Sequence, residues 1–156
     1  MSLHEGNLFF KHKYPTIDIE RMVDHFDNFD DFEKCFSSDL MDENLLLADY
    51  LYKLLDEKKI TPTKVSEQIG ASPSYVRKIV NGEKNNPTRD ILLAICVYIG
   101  ASVEQTQILL RYAGKAPLYA RRKRDMIVWY ALKRKMRLAD VDQLLIDRNF
   151  IALSKT

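Results

Sequence analysis

The sequence has little glycine, little proline and no long apolar run. Its 156 residues include five glycines and five prolines, which favours long helices over a turn-rich β fold. Every apolar run falls short of the roughly 18 residues that a membrane span requires. The N-terminus does not join a basic stretch to an apolar one, as a secretory signal does. We therefore expect a soluble, cytoplasmic protein that makes no membrane contact.

Residues that carry metal or catalytic chemistry are also sparse. Cys35 and Cys96 lie far apart in sequence and form no zinc spacing. The histidines His4, His12 and His25 are confined to the N-terminal segment and match no metal motif. The sequence shows no glycine-rich phosphate loop and no pairing of a nucleophile with a base. We therefore expect no metal, no cofactor and no enzymatic activity.

Charge is distributed unevenly, although the net charge is only +2. Residues 1–40 carry a net charge of −5, residues 41–88 are neutral, and residues 89–156 carry +7. A basic C-terminal half indicates contact with a polyanion. An acidic N-terminal segment is able to compete with that polyanion for the same surface.

Residues 1–40 form this acidic extension, and they allow three interpretations. Phenylalanines recur at every third position, at Phe26, Phe29 and Phe32. One interpretation is an amphipathic helix, or two, laid on the core with its acids in solvent. Another is an acidic, aromatic segment that docks a protein partner or covers the basic face. The last is a flexible tail.

The most informative stretch is residues 61–82, TPTKVSEQIGASPSYVRKIVNG. It predicts a helix over residues 62–69, a turn at Gly70 and a second helix over residues 73–80 with Ser72 as its N-cap. A short turn containing glycine between two helices is typical of a helix-turn-helix motif.

Helical patterns continue on both sides of this motif. Apolar residues at i, i+3 and i+4 predict an amphipathic helix over residues 43–58. Two helices follow the motif, opened by Thr88 and Ser102 and ended by Gly100 and Gly114. The first of these two is apolar nearly all round, which predicts that it is central to the core.

A shift of 35 residues aligns the C-terminal part of the chain with the hairpin before it. The aligned pairs include a charged dipeptide, an apolar run and a later leucine: Arg89-Asp90 with Arg124-Asp125, Ile91-Leu92-Leu93 with Met126-Ile127-Val128, and Leu118 with Leu153. The alignment predicts a sixth helix at about 120–135 and a seventh at about 138–148, packed beside the first hairpin and extending its core.

The spacing from the turn glycine to the later helices follows a known pattern, carried by Leu51, Ile60, Thr61, Val65, Ile69, Gly70, Ser72, Ser74, Val76, Ile79, Asn81, Gly82, Asn86, Pro87 and Thr88. In these residues the chain resembles the lambda-repressor-like (XRE/Cro) helix-turn-helix family. The resemblance implies an all-α fold, with a five-helix domain over residues 41–118. The N-terminal extension, residues 1–40, and the C-terminal helical hairpin predicted from the repeat, residues 119–156, lie outside the minimal family domain. The resemblance also implies a bacterial or phage-type transcription regulator that binds double-stranded DNA, commonly as a homodimer.

The resemblance further implies which residues contact DNA. The second motif helix enters the major groove, and short polar side chains around it contact phosphates. Arg77 and Lys78 are the best candidates for contacts with guanine edges or flanking phosphates. The implied groove residues are Pro73, Ser74, Tyr75, Arg77 and Lys78; the implied phosphate contacts are Thr63, Ser72 and Asn81, with added charge from Lys64, Lys84 and Arg89.

Two prolines depart from the family pattern. Pro62 stands where the family often has glutamine, and Pro73 where it often has glutamine or arginine. Proline has no side-chain donor, so base readout depends on the other groove residues or is weak. The alternative function is a protein-interaction module, of signalling or antitoxin type, with weak or no DNA binding.

A second basic feature lies between Lys115 and Arg137, where nine Lys or Arg accompany one Asp. One interpretation is the solvated start and end of a helix. Since positive charge at a helix N-terminus opposes the helix dipole, the run needs compensation, from a bound anion or from the acidic N-terminal segment. The other interpretation is therefore a phosphate clamp beside the groove, formed by Arg121, Arg122, Lys123 and Arg124.

Overall fold

The computed structural model describes residues 16–37, 40, 43–84 and 86–154, and within these ranges the chain is helical without strands. The helices are α1 (Thr16–Met22), α2 (Phe29–Cys35), α3 (Glu43–Lys58), α4 (Pro62–Gln68), α5 (Tyr75–Val80), α6 (Arg89–Ile99), α7 (Val103–Tyr112), α8 (Lys123–Arg134) and α9 (Leu138–Asp147), and a 3₁₀ turn, Val23–His25, follows α1. None of the described helices has the length and apolar character needed to cross a membrane. The predictions for residues 1–15, including His4 and His12, fall outside the described residues.

Helix α6 is the centre of the core, as its apolar sequence predicted. Five consecutive residues, 92–96, are fully inaccessible to solvent. The helix packs against α4 on one side and against α7, α8 and α9 on the others. Burial raises the pKa of the Cys96 thiol to about 12, although a hydrogen bond with Thr106 acts the other way. Cys96 is therefore a small residue of the core.

An aromatic cluster forms on α2 and at the residues on either side of it. The ring of Phe32 lies 5.5 Å from that of Phe26 and 4.9 Å from that of Phe36. Asn28 caps α2 by accepting the N–H of Asp31 at 2.9 Å. Six of the seven acidic side chains in residues 16–37 are exposed. Helices therefore form in this segment, with most of their acids in solvent, as the first interpretation predicted; its packing on the core stays a prediction.

The hairpin α8–α9 repeats the hairpin α6–α7 almost residue for residue. Helices α7 and α9 begin and end 35 residues apart, and α6 and α8 end 35 residues apart. Gly100 and Lys135, which follow these last two helices, are also 35 residues apart. Both adopt the left-handed conformation, with φ of 70° and 53°. The predicted repeat is confirmed at the level of the helices.

The repeat extends to side chains that differ in type. In α7, Gln107 accepts the N–H of Leu118 at 2.8 Å and donates to its carbonyl at 3.0 Å. In α9, Asp142 accepts the N–H of Leu153 at 2.7 Å. Each of these polar side chains therefore holds the segment that follows its own hairpin, and each of the two leucines is buried.

The two aligned Arg-Asp dipeptides pair with each other. Arg89 contacts the carboxylate of Asp125 through both terminal nitrogens, at 3.0 and 3.1 Å. Arg124 contacts Asp90 in the same way, at 2.8 and 3.0 Å. Such bidentate pairs fix geometry as well as supplying attraction. Because each dipeptide contacts the other reciprocally, the hairpins meet as two copies do across a two-fold interface. We call these two ion pairs the Arg-Asp clasp.

Candidate nucleic-acid interface

The motif begins with a capped helix, whose start at residue 62 was predicted and whose cap was not. The hydroxyl of Thr61 accepts the N–H of Lys64 at 3.3 Å, and Pro62 occupies the first turn of α4. Proline is well suited to that position, since its missing N–H would have no partner inside the helix. The side chains of Thr63 and Lys64 are exposed on this first turn.

The prediction that Ser72 caps the second motif helix is wrong, because α5 begins at Tyr75. In an α-helix capped by Ser72, the N–H of Val76 would bond to the Ser72 carbonyl. It donates instead to the hydroxyl of Ser66 in α4, at 2.9 Å. The Ser72 carbonyl accepts the N–H of Tyr75 at 3.0 Å. Pro73 therefore lies in a tight turn, where its fixed φ is suitable, and precedes the helix.

Ser66 connects the two motif helices. Its hydroxyl accepts from Val76 and donates to the carbonyl of Pro62 at 3.0 Å, and the residue is fully buried. The chain turns between the helices at Gly70, whose φ of 76° is readily adopted by glycine. Ser66 therefore sets the position of α5 relative to α4.

Replacing Ser66 with alanine is expected to destabilise the protein by about 1–3 kcal/mol, because the buried N–H of Val76 is left without a partner. Urea unfolding followed by circular dichroism measures this change. Ser66→Thr keeps the hydroxyl but adds a methyl group to a filled core, so it serves as a packing comparison. Unchanged stability in Ser66→Ala would contradict the role given to this hydroxyl.

Helix α5 has one buried face and one charged face. Val76, Ile79 and Val80 are buried, with at most 3% of each exposed. Arg77 and Lys78 project to solvent between them. Within the part of the chain that the structure describes, these two side chains make no hydrogen bond or ion pair. Both cations remain accessible to a polyanion.

The loop after α5 adds a third cation to this surface. The N–H groups of Glu83 and Lys84 both donate to the carbonyl of Lys78, at 2.9 and 3.0 Å. The Lys84 ammonium lies 5.3 Å from the centre of the Tyr75 ring, within cation–π range. Burial raises the pKa of the Tyr75 hydroxyl above its ordinary value. Lys84 is thereby held beside the first turn of α5.

Residues 51–105 match the family model of the Cro/C1-type HTH DNA-binding domain. Over these residues the chain is similar to that family, and we refer to the matched segment as the Cro/C1-type domain. The match runs from within α3 to the first turn of α7. It supports a DNA-binding regulator in general terms, and it does not extend to α1, α2, α8 or α9. Comparison with curated proteins and with solved structures gave no match.

Most of the predicted contact residues lie on one segment of the Cro/C1-type domain. The exposed ones are Thr63, Ser72, Pro73, Arg77, Lys78, Asn81 and Lys84, whereas Ser74 and Tyr75 are half-buried. Arg89 lies apart from them, because it belongs to the Arg-Asp clasp. It also donates to the carbonyls of Ala116 and Pro117, at 2.9 and 3.0 Å.

The basic run outside the Cro/C1-type domain divides into two parts. Arg124 is held by Asp90 and by the carbonyl of Ile151. The anion needed beside the N-terminus of α8 is thus supplied within the chain, by the clasp carboxylates. Of the four residues of the predicted clamp, Arg121, Arg122 and Lys123 remain exposed. Lys115 bonds to Asn86 at 2.6 Å, which connects this region to the loop that follows α5.

Proposed function

We propose that the protein is a transcription regulator that inserts α5 into the major groove of DNA and acts as a homodimer. The observation that carries this proposal is the exposed pair Arg77 and Lys78 on a Cro/C1-type domain. A single helix fits the major groove, and its cations reach guanine edges or flanking phosphates. The buried bonds of Ser66 hold that helix in a fixed position on α4.

Phosphate contacts would surround this helix. Thr63 lies at the exposed start of α4, and Ser72 and Asn81 lie on either side of α5. Short polar side chains and helix N-termini at such positions fix the register of a protein on the duplex. Lys84, held against Tyr75, adds positive charge at the same edge.

Sequence discrimination would come from few side chains. Pro73 has no donor, and the Tyr75 ring is half-buried against Lys84. Each good contact to a base edge contributes about 1–3 kcal/mol of discrimination. We therefore propose moderate specificity, with much of the affinity supplied by phosphate contacts.

The exposed cations before and at the start of α8 would extend the phosphate contacts. Replacing Arg121, Arg122 and Lys123 with alanine is expected to make the salt dependence of binding shallower, by about 0.9 in the log–log slope for each phosphate that the variant no longer neutralises. Fluorescence anisotropy with labelled duplex DNA at several salt concentrations measures the slope. Lys133→Ala, at the other end of α8, removes a cation away from the proposed clamp and serves as the control. An unchanged slope in the triple variant would exclude the clamp.

Selection of bound duplexes from random DNA tests the proposal as a whole. Enrichment of a sequence with two half-sites about 34 Å apart would support a dimer that uses two α5 helices. A protein-interaction module remains the alternative, and it is favoured by the lack of a donor at Pro73. Failure to retain any duplex, even at low salt, would favour that alternative.

A further inference from the structure

The two hairpins differ in what covers one of their faces. In the first hairpin, α4 packs against α6 and α3 packs against α7. Four apolar residues of that hairpin are no more than 7% exposed: Ile91, Leu92, Ile95 and Leu109. The residues 35 positions later are again apolar, but each is half-buried or exposed: Met126, Ile127, Tyr130 and Leu144. The largest difference in exposure is between Ile95, which is 0% exposed, and Tyr130, which is 51% exposed.

These four later residues line one groove on the outside of α8 and α9. The groove has a volume of about 460 Å³, and Lys123 and Arg148 complete its lining. The guanidinium of Arg134 lies 5.1 Å from the centre of the Tyr130 ring. The groove therefore combines an apolar floor with basic side chains. Helices α8 and α9 pack mainly on α6, on α7 and on each other.

The apolar floor of the groove is unusual for a helix surface that faces only water. A helix face in contact with water is normally polar, and a grouped apolar surface rimmed by polar residues is typical of a binding site. In the first hairpin, where the equivalent residues are buried, α4 packs against α6 and α3 packs against α7. The groove therefore has the character of a surface that receives a helix.

The chain itself contains a helical segment of complementary charge. Residues 16–37 have seven acidic and two basic residues, a net charge of −5. Residues 120–150 have nine basic and four acidic residues, a net charge of +5. The acidic segment also presents three exposed apolar side chains, Met22 at 38%, Val23 at 53% and Phe29 at 64%. The segment is opposite to the groove region in charge, it has apolar side chains to place on the groove floor, and it is helical.

We propose that the groove of α8 and α9 binds the acidic α1–α2 segment of a second copy of this chain. Among the described residues of a single chain, the rings of the acidic segment pack on one another and the groove is open, so we assign the occupant to another chain. Exchange of segments between two copies closes a two-fold dimer with two identical contacts. This inference rests on the dimeric state proposed above, and it does not depend on DNA binding.

Substitution of one residue on each side tests the contact in the full-length chain. Tyr130→Ser and Phe29→Ser each remove a ring that is more than half exposed, and circular dichroism checks that both variants fold. Each is expected to raise the dimer dissociation constant about tenfold or more, as truncation of a buried aromatic anchor does. The combined variant should dissociate no more readily than the single variants, because both remove the same contact. Sedimentation velocity over a range of concentrations measures these constants.

Tyr119→Ser is the matched control, since Tyr119 is 53% exposed and does not line the groove. It should dimerise as the unchanged chain does. A dimer that is insensitive to Phe29→Ser and Tyr130→Ser would overturn this inference while leaving the dimeric state intact. The inference would also be overturned if the combined variant weakened the dimer by the sum of the two single effects. A chain that stays monomeric at all concentrations would overturn both, without bearing on DNA binding.

Discussion

Replacement of Arg77 and Lys78 together by alanine is expected to weaken DNA binding about 100-fold or more, since each base-edge contact contributes about 1–3 kcal/mol and about 1.4 kcal/mol is a factor of ten. Folding should be preserved, because both side chains are exposed and alanine is the best helix former. Fluorescence anisotropy gives the affinity, and thermal unfolding followed by circular dichroism gives the stability.

A control with an equal reduction of charge separates groove contacts from general attraction. Lys53 and Lys133 are exposed and lie on α3 and α8, away from α5. Their double replacement by alanine should weaken binding far less than the change in α5. Equal weakening by the two double variants would indicate non-specific attraction. Unchanged affinity in the Arg77 and Lys78 variant would remove α5 from the interface and favour a protein partner.

Replacement of Asp125 by alanine is expected to destabilise the protein by about 2–4 kcal/mol, below the full cost of breaking a buried ion pair. The side chain of Asp125 is 5% exposed and that of Arg89 is 23% exposed, so water relieves part of the cost. The variant leaves the Arg89 guanidinium without its carboxylate. It also removes the acceptor of the Tyr119 N–H, which lies at 2.9 Å. Urea unfolding followed by circular dichroism measures the free energy of unfolding.

The same carboxylate makes stability depend on pH. Burial raises the pKa of Asp125, but the hydrogen bonds from Arg89 and from the Tyr119 N–H, with the charges of Arg89 and Arg122, outweigh it and leave the pKa below its ordinary value. The resulting stabilisation is present above the unfolded pKa of about 4 and is lost as the pH falls through the lower folded pKa. Asp125→Asn should therefore lose less stability on acidification than the unchanged chain.

Asp140→Asn is the control for this pH dependence. Asp140 pairs with Arg137 at 3.1 Å, but both side chains are at least half exposed. Surface pairs of this kind contribute about 0–1 kcal/mol, so the variant should follow the acid unfolding of the unchanged chain. If Asp125→Asn loses stability on acidification as the unchanged chain does, the Arg-Asp clasp does not account for the acid sensitivity.

Features set by neighbouring residues were predictable from sequence. Thr88 and Ser102 cap the helices that they were predicted to open, because an N-cap bonds to a backbone group three residues away. The outward positions of Arg77 and Lys78 follow in the same way from the inward positions of Val76 and Ile79.

Features set by distant residues were not predictable in this way. The start of α5 depends on a bond from Val76 to Ser66, and a serine inside a helix gives no signal for it. The alignment placed the Arg-Asp dipeptides in register without indicating that they pair across the hairpins. The positive charge at the start of α8, which requires an anion, was the available signal. Gln107 and Asp142 share a role but not a residue type, so alignment alone could not equate them.

The most direct test of the central claim is the affinity of the full chain for duplexes selected from random DNA, measured at a low and a high salt concentration. The account predicts that binding weakens steeply with salt, as it does for a protein that contacts several phosphates. It also predicts that the selected duplex binds more tightly than a scrambled one, and that the preference disappears in the Arg77 and Lys78 variant. Equal affinity for selected and scrambled duplexes, or no measurable binding at low salt, would contradict it.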